Sequence, residues 1–208
     1  MSQRIFYIYD ALCGWCYGFS PAVRRIYDTF SPEIPFEIIS GGMVMGARRG
    51  PMTQMAAYIE QASKRITEMT GVEFSPAFYE NILYNPQYNG DSEYPGIALS
   101  LFKSQRPEES FDFSAALQKA LFMEGKSLSD MATYHEIALQ FGFEPGEFVA
   151  AMQLPEAREI AHSEFDWVKG LGIQGFPAMV GLKDEKLTLL ANGCMPFESV
   201  QENILKWK

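Results

Sequence analysis

Two cysteines three positions apart are the residues of this sequence best suited to chemistry. Cys13 and Cys16 enclose Gly14 and Trp15, directly after a short apolar stretch rich in isoleucine and tyrosine. A cysteine at the start of a helix faces free N–H groups and the positive end of the helix dipole, which stabilise a thiolate. A second cysteine one turn later can close a disulfide with it. The spacing therefore indicates dithiol chemistry, with Cys13 as the nucleophile and Cys16 as the resolving thiol.

A Cys-x-x-Cys pair also occurs in zinc sites, and two inert buried thiols are a further alternative. A structural zinc site needs a second set of ligands. Only Cys194, His135 and His162 remain, and none of them forms a second close pair. Three cysteines in 208 residues also provide no structural disulfide framework. We therefore predict no metal, and we interpret both histidines as structural or surface residues. No cofactor is expected either, because the cysteines themselves carry the electrons.

The composition is that of a globular protein, with 47% hydrophobic and 21% charged residues. The formal net charge of −9 argues against nucleic acids and anionic membranes as partners, because both are bound by basic patches. No apolar run approaches the ~20 residues of a membrane helix. The first apolar stretch, residues 5–9, is too short and too rich in tyrosine for the core of a signal peptide. The sequence therefore predicts a cytoplasmic location.

The patterns around the cysteine pair predict a strand, a helix and a second strand. Residues 4–9 form a short apolar run typical of a buried strand. From residue 16 to residue 30 the apolar positions recur at helical spacing. Residues 36–40 predict the second strand, which a pair of glycines ends. This order implies parallel strands and places the cysteines at the first strand-to-helix junction.

Helical patterns dominate from residue 51 to residue 167, and no strand is predicted there. The predicted helices cover residues 52–70, 75–83, 96–104, 113–124, 129–141, 144–152 and 156–169. Glycine, proline and asparagine mark the connections between them.

The end of the chain returns to short strands. Residues 178–182 and 187–191 predict a hairpin around a charged turn, and residues 196–207 predict an amphipathic closing helix. The fold class is therefore α/β. We expect one discontinuous domain, residues 1–50 and 168–208, with an all-helical insertion domain, residues 51–167.

Two motifs taken together resemble a known family. The run CGWCYGFSP at residues 13–21 and the run GIQGFPAMVGL at residues 172–182 are similar to the cytosolic DsbA-family proteins called FrnE-like, within the thioredoxin superfamily. The resemblance covers the whole chain in order. It implies a DsbA-like thioredoxin fold and a protein disulfide oxidoreductase or isomerase. Protein thiols, protein disulfides or glutathione would be its partners.

The resemblance also implies roles for residues near the second motif. Pro177 matches the proline that superfamily members hold in the cis form beside the disulfide. Its role would be to present the Phe176 backbone to the extended chain of a substrate, next to Cys13. Gly14 and Trp15, between the two cysteines, are the other expected substrate-binding residues. A simple proline at the start of a strand is the alternative.

Three further residues carry weaker expectations. Tyr7 stands where several relatives have a buried carboxylate below the disulfide. Asp10 is the nearest acid, with a solvated loop acid or a cap as the alternative. The predicted hairpin returns Cys194 to the side of the redox centre, where a helix N-terminus would lower its pKa and make it a candidate modulator. Its alternative is a small buried apolar residue.

Other classes of function stay open. DsbA-like folds also include glutathione-dependent isomerases and transferases, which usually have serine in place of the first cysteine and lack the pair. A chaperone-like binding protein that uses the hydrophobic cleft is the third alternative. Flexible methionines can line an adaptable groove, although core packing is the commoner role. Such a group follows the second predicted strand: Met43, Met45, Met52 and Met55.

Overall fold

The computed structural model describes residues 3–208, and a four-stranded mixed sheet is its centre. The strands are β1 (Gln3–Tyr9), β2 (Phe36–Ser40), β3 (Gly50–Pro51), β4 (Asn89–Gly90), β5 (Ala178–Lys183) and β6 (Lys186–Asn192). The strand order of the main sheet is β2-β1-β5-β6. Strand β1 runs parallel to β2 and antiparallel to β5, and β5 and β6 form a hairpin. The predicted union of both chain ends in one sheet is therefore confirmed.

The helices follow the predicted positions closely. They are α1 (Gly14–Phe30), α2 (Ala56–Thr70), α3 (Pro76–Phe78), α4 (Glu93–Gln105), α5 (Ser110–Phe122), α6 (Met131–Gln140), α7 (Pro145–Met152), α8 (Pro155–Gly170) and α9 (Phe197–Trp207). A π-helical turn, Tyr79–Leu83, continues α3. Local chemistry sets several starts: Ser75 caps α3 by accepting from Phe78 N, and Pro76 occupies the first helical position. Within residues 3–208, no helix combines the length and the apolar character needed to cross a membrane.

The prediction of no strand in residues 51–167 is wrong at one place. Strands β3 and β4 form a two-stranded antiparallel ladder with the pairs Gly50–Gly90 and Pro51–Asn89. Two residues are too few to show the alternation of apolar and polar side chains that identifies a strand. The ladder forms because the loop after β2 lies against the segment before α4, where Ser92 N donates to Val44 O at 3.0 Å.

The two faces of the main sheet are covered by different helices. Tyr7 and Tyr9 face the larger core, which contains the buried side of α1, much of the helical insertion and the closing helix α9. Ile8, on the opposite face, packs with Ala178 and with Val168 of α8. This alternation follows from the period of two along a strand. The cysteine pair, which follows the end of β1, lies in this larger core, on the face that the insertion covers.

A glycine on α1 brings the helical insertion onto the start of that helix. A Cβ atom built on Gly18 would overlap the side chain of Ile66 on α2. Only glycine therefore allows α1 and α2 to approach this closely. The contact places α2 above the first turn of α1, where the two cysteines lie.

Candidate active site

The residues from Asp10 to Cys16, here called the redox turn, connect β1 to α1. Cys13 N donates to Asp10 O at 3.1 Å, which closes the turn. Cys13 is the N-cap residue of α1, with φ −85° and ψ 109°, and its Sγ accepts from Cys16 N at 3.4 Å. The Cys13 sulfur therefore satisfies one of the backbone N–H groups that are free at the start of a helix.

The second cysteine lies deeper than the first. Cys16 has no exposed surface, whereas Cys13 keeps 5%. Burial raises the pKa of Cys16 well above its usual value, and the hydrogen bond and charge of Cys13 act in the same direction. Cys16 therefore remains a thiol at neutral pH. The pair is in the dithiol form in this structure.

The segment before β5 comes to the redox turn from far along the chain. The Cys13 thiol donates to the carbonyl oxygen of Phe176 at 3.5 Å, and the Phe176–Pro177 peptide is cis, as predicted. Gly193 N donates to Pro177 O at 2.8 Å, which fixes this segment from the other side. The structure thus brings Cys13 together with Phe176 and Pro177, two of the other predicted site residues.

Gly41, which the sequence identified only as a strand breaker, makes room for Phe176. A Cβ atom built on Gly41 would overlap the aromatic ring of Phe176. The neighbouring Gly42 has φ +64°, a conformation that other residues adopt only with strain. The glycine pair is the signal that was available in the sequence, but the partner of Gly41 lies 135 positions later and no local pattern indicates it.

Tyr7 occupies the position below the cysteines and offers no carboxylate. Its side chain is 3% exposed. Burial raises the pKa of Tyr7 well above its usual value, and the nearby Cys16 and Cys13 add to the effect. The phenol therefore stays neutral under the thiols and takes no proton from them at neutral pH.

Asp10 is not a solvated loop acid, because its side chain is fully buried. Its Oδ1 accepts from Leu12 N at 3.0 Å and from Ser92 Oγ at 2.9 Å, and its Oδ2 accepts from Met43 N at 2.7 Å. The bond from Leu12 makes it a cap of the redox turn, one of the two alternatives that the sequence offered. Burial raises the pKa of Asp10, and these hydrogen bonds oppose that effect. Sequence reasoning missed Ser92, whose partners lie on two distant segments.

An apolar cavity of about 530 Å³ opens beside Cys13. Trp15 and Cys13 form its inner side, and the first turns of α2 form its outer side. Arg48 and Arg49 lie at its edge. Its apolar lining includes Leu12, Met43, Val44, Met52, Met55, Tyr58, Ile59, Ile66, Phe74 and Phe122. The insertion thus provides an apolar surface next to the reactive sulfur, as a site for an apolar group of a substrate requires.

Of the predicted methionine group, Met43, Met52 and Met55 line this cavity. Met45 instead lines a second cavity, of about 520 Å³, on the side of Phe176 that includes His162. Arg48 belongs to both cavities. Arg49 is held by ion pairs to Asp91 at 3.0 Å and Glu93 at 2.9 Å, so Arg48 is the more available of the two cations.

Cys194 lies on the predicted side of the sheet. It follows Gly193, which is hydrogen-bonded to Pro177 O, and its side chain is half-buried. The expected lowering of its pKa is wrong: burial raises the pKa of Cys194, and the nearby Cys13 raises it further. The cause is the desolvation of the thiol between the hairpin and the redox turn, which outweighs the effect of the helix that follows.

The other candidate metal ligands do not form a cluster in the part of the chain that the structure describes. Within residues 3–208 there is no group of three or more histidine, cysteine, aspartate or glutamate side chains that could hold a metal ion. His162 contacts Glu93 Oε1, and His135 is exposed on α6. Both histidines thus have structural or surface positions.

The mixed sheet, the redox turn and the cis-proline segment define a thioredoxin fold with a helical insertion. The DSBA-like thioredoxin domain matches residues 4–204, and the chain belongs to this family. No curated protein matches the chain by sequence similarity.

Solved structures agree with this assignment. A protein from Nitrosomonas europaea, provisionally named a protein disulfide isomerase, is similar with a TM-score of 0.87 and 25% identity, over 100% of this chain and 98% of that chain. The cytosolic disulfide reductase DsbM from Pseudomonas aeruginosa has a TM-score of 0.80 and 23% identity, over 99% and 100% of the two chains. A 2-hydroxychromene-2-carboxylate isomerase has a TM-score of 0.68 and 10% identity, over 98% and 95%. The fold therefore supports two kinds of chemistry among its relatives.

Proposed function

We propose that this protein is a thiol–disulfide oxidoreductase in which Cys13 is the nucleophile and Cys16 the resolving thiol. One observation carries the proposal: Cys13 caps the start of α1 at the wall of the cavity, and Cys16 lies in the first turn of that helix, fully buried. A substrate reaches Cys13 first. Cys16 is one helical turn away, close enough to displace a partner bound to Cys13.

The reaction transfers two electrons between dithiol and disulfide. In the reducing direction, the Cys13 thiolate attacks one sulfur of a substrate disulfide, forms a mixed disulfide and releases the first substrate thiolate, which takes up a proton. Cys16 then loses its proton and attacks Cys13 Sγ, which releases the second substrate thiolate. The substrate disulfide is reduced to two thiols, and Cys13 and Cys16 are oxidised to a disulfide. Substrate oxidation is the reverse sequence.

The surroundings of Cys13 fit the binding of a substrate in an extended conformation. In our proposal, the backbone of Phe176, ahead of cis-Pro177, pairs with the chain of the substrate. Gly14 and Trp15 form the opposite side of the binding surface, and the apolar cavity receives a side chain next to the reacting cysteine. Arg65 lies over the Trp15 ring, 6.0 Å from its centroid, and supports that ring from outside.

Protein thiols, protein disulfides or glutathione are the proposed partners. A structure of the Pseudomonas aeruginosa reductase with GSH is similar to this chain, with a TM-score of 0.76 and 20% identity. That protein is described as cytosolic, which supports our proposal of a cytoplasmic location. Reaction of the oxidised protein with reduced glutathione, followed by mass spectrometry for a glutathione adduct on Cys13, tests the small-thiol partner.

A glutathione-dependent isomerase is the second candidate. The similarity to the carboxylate isomerase and the size of the apolar cavity favour it. The second thiol, Cys16, one helical turn after Cys13, favours the oxidoreductase, because isomerisation needs no second cysteine. Turnover of an aromatic substrate with catalytic glutathione by a Cys16→Ser variant would support the isomerase.

The decisive experiment compares disulfide reduction by three proteins. Wild type should reduce insulin with dithiothreitol or glutathione as electron donor. Cys16→Ser should accumulate a mixed disulfide on Cys13, and Cys13→Ser should accumulate none. A wild-type protein that neither reduces insulin nor oxidises reduced ribonuclease, but prevents aggregation, would be the chaperone-like alternative.

Two further assignments are proposals. Cys194 is the candidate modulator, because it is half-buried next to the site and its modification would change access to Cys13. An adduct on Cys194 after treatment with oxidised glutathione, together with altered rates for Cys194→Ser, would support this role.

Residues 51–167 are proposed as an insertion domain on residues 1–50 and 168–208, and limited proteolysis near residues 50 and 168 tests those boundaries.

A further inference from the structure

Asp10 is a buried acid beside the redox pair that the proposed reaction does not yet use. A buried carboxylate is costly unless hydrogen bonds replace its water. The carboxylate of Asp10 receives three such bonds, from Leu12 N, Ser92 Oγ and Met43 N. Every partner is a donor. A protonated acid would present its own hydrogen to an acceptor, so this arrangement is that of an ionised carboxylate.

Ser92 joins Asp10 to the loop after β2. Its Oγ donates to Asp10 Oδ1 at 2.9 Å and accepts from Val44 N at 3.0 Å. Ser92 N also donates to Val44 O at 3.0 Å. Asp10 therefore joins three segments: the redox turn, the loop after β2 and the start of α4. The loop after β2 carries Met43 and Val44, which line the cavity beside Cys13.

Titratable groups on several elements face Asp10. Arg48 is the cation that faces it, and the neighbouring phenols belong to Tyr9 and Tyr88. Burial raises the pKa of both tyrosines, so they remain neutral. Cys16 is the remaining neighbour. Burial and Cys13 contribute most to the raised pKa of Cys16, and the negative charge of Asp10 adds to them, while the Asp10 N–H opposes them.

We propose that Asp10 is a positioning residue for the thiol–disulfide reaction. Its carboxylate holds the redox turn against the loop after β2 and α4, and its charge disfavours a thiolate on Cys16. Cys16 is thereby kept as a thiol, so that Cys13, the sulfur at the wall of the cavity, makes the first attack. This inference rests on the proposed function, because it assigns Asp10 to the same redox reaction.

The wild-type protein provides the first test. We expect the 13Cγ NMR signal of Asp10 to show an ionised carboxylate at pH 7 in the reduced protein, and to shift when the cysteine pair is oxidised. A protonated Asp10 at pH 7, or a signal indifferent to the redox state, would overturn the proposal. This measurement needs no substitution and no activity.

The second test removes the charge. In Asp10→Asn, the titration of Cys16 followed by its 13Cβ signal should move about one pH unit lower, which corresponds to about a tenfold easier ionisation. The reduced fraction in a glutathione redox buffer should stay close to that of wild type at pH 7, where Cys16 is a thiol in both proteins, and should rise above it only as the pH approaches the pKa of Cys16. Asp28→Asn is the matched control, because that side chain is 59% exposed on α1. Equal titrations in both variants would refute the role of the charge.

Ser92→Ala separates position from charge. It keeps the Asp10 carboxylate but removes one donor, so the titration of Cys16 should stay close to that of wild type while amide exchange at Val44 becomes faster. Unchanged exchange at Val44 would refute the link between the segments. If wild type forms no Cys13–Cys16 disulfide in redox buffer, the proposed function fails, whereas the Cys16 titrations still decide whether Asp10 acts on the thiol.

Discussion

The redox turn and the outer side of the cavity are built differently. In the redox turn, Cys13 N and Leu12 N both bond to Asp10, and the two cysteines are almost fully buried. Across the cavity, Met55 and Tyr58 leave 53% and 59% of their surface exposed. Helix α2 begins there without a side-chain cap. The two cysteines are therefore held in place by hydrogen bonds and burial, while the exposed side of the cavity can adapt.

The largest expected effect comes from removing the nucleophile in the redox turn. Cys13→Ser should reduce the rate of insulin reduction by at least about 10³-fold, because a hydroxyl does not form the mixed disulfide. Thermal unfolding should show that the variant is folded. Retention of more than a tenth of the rate would mean that another cysteine performs the first attack.

The second largest effect should be that of pH on the second step, in which Cys16 resolves the mixed disulfide. Resolution needs the Cys16 thiolate, and the pKa of Cys16 is raised well above the usual 9.0. Below that pKa the thiolate fraction grows about tenfold per pH unit. Decay of a preformed mixed disulfide on Cys13 should therefore accelerate by up to about 100-fold from pH 7 to pH 9. A plateau near pH 7 would show that Cys16 is already ionised in the folded protein.

Gly41→Ala tests how closely the redox turn must fit Phe176. The new methyl group would push against the Phe176 ring and move the carbonyl away from Cys13, so kcat/KM should fall by about tenfold. Gly170→Ala is the control, because a Cβ there has no heavy atom within 4 Å. Equal losses of kcat/KM in both variants would show that contact with the Phe176 ring is not the cause.

The smallest effect is expected on the exposed side of the cavity. Tyr58→Ala combined with Met55→Ser should raise KM for peptides with an apolar residue beside the cysteine by about threefold to tenfold. The free energy of unfolding should change by less than about 0.5 kcal/mol, as is usual for exposed positions. Leu205→Ser, at a position 59% exposed on α9, is the control. A fall in kcat at constant KM would instead place these residues in the chemical step.

Local sequence patterns predicted most of the helices and strands. The strand at residues 36–40 is observed at those residues, and the hairpin and the closing helix lie within one residue of prediction at each end. The hairpin turn at Asp184 and Glu185 has two residues with positive φ, as a two-residue turn between right-twisted strands requires. Strands β3 and β4 were not predicted, because two residues are too few to show the alternation typical of a strand.

The site was predicted in part. The cysteine pair and Pro177 were identified from motifs, because each motif is a run of neighbouring residues. The burial of Asp10 was not, since it depends on Met43 and Ser92, which lie 33 and 82 positions later. The pKa of Cys194 was predicted in the wrong direction, because the degree of burial of a side chain after a hairpin depends on what packs over it.

The sequence by itself determined the order of strands and helices, the place of the cysteine pair at a strand-to-helix junction, and the resemblance to the DsbA-like branch. These features depend on residue spacing, which the chain contains locally. Tertiary structure alone decided that Phe176 O meets Cys13 Sγ across 163 positions, that Gly41 makes room for the Phe176 ring, and that the Asp10 carboxyl group is buried and accepts three hydrogen bonds. Each of these needs distant segments to pack together, and packing follows from the summed fit of the whole core.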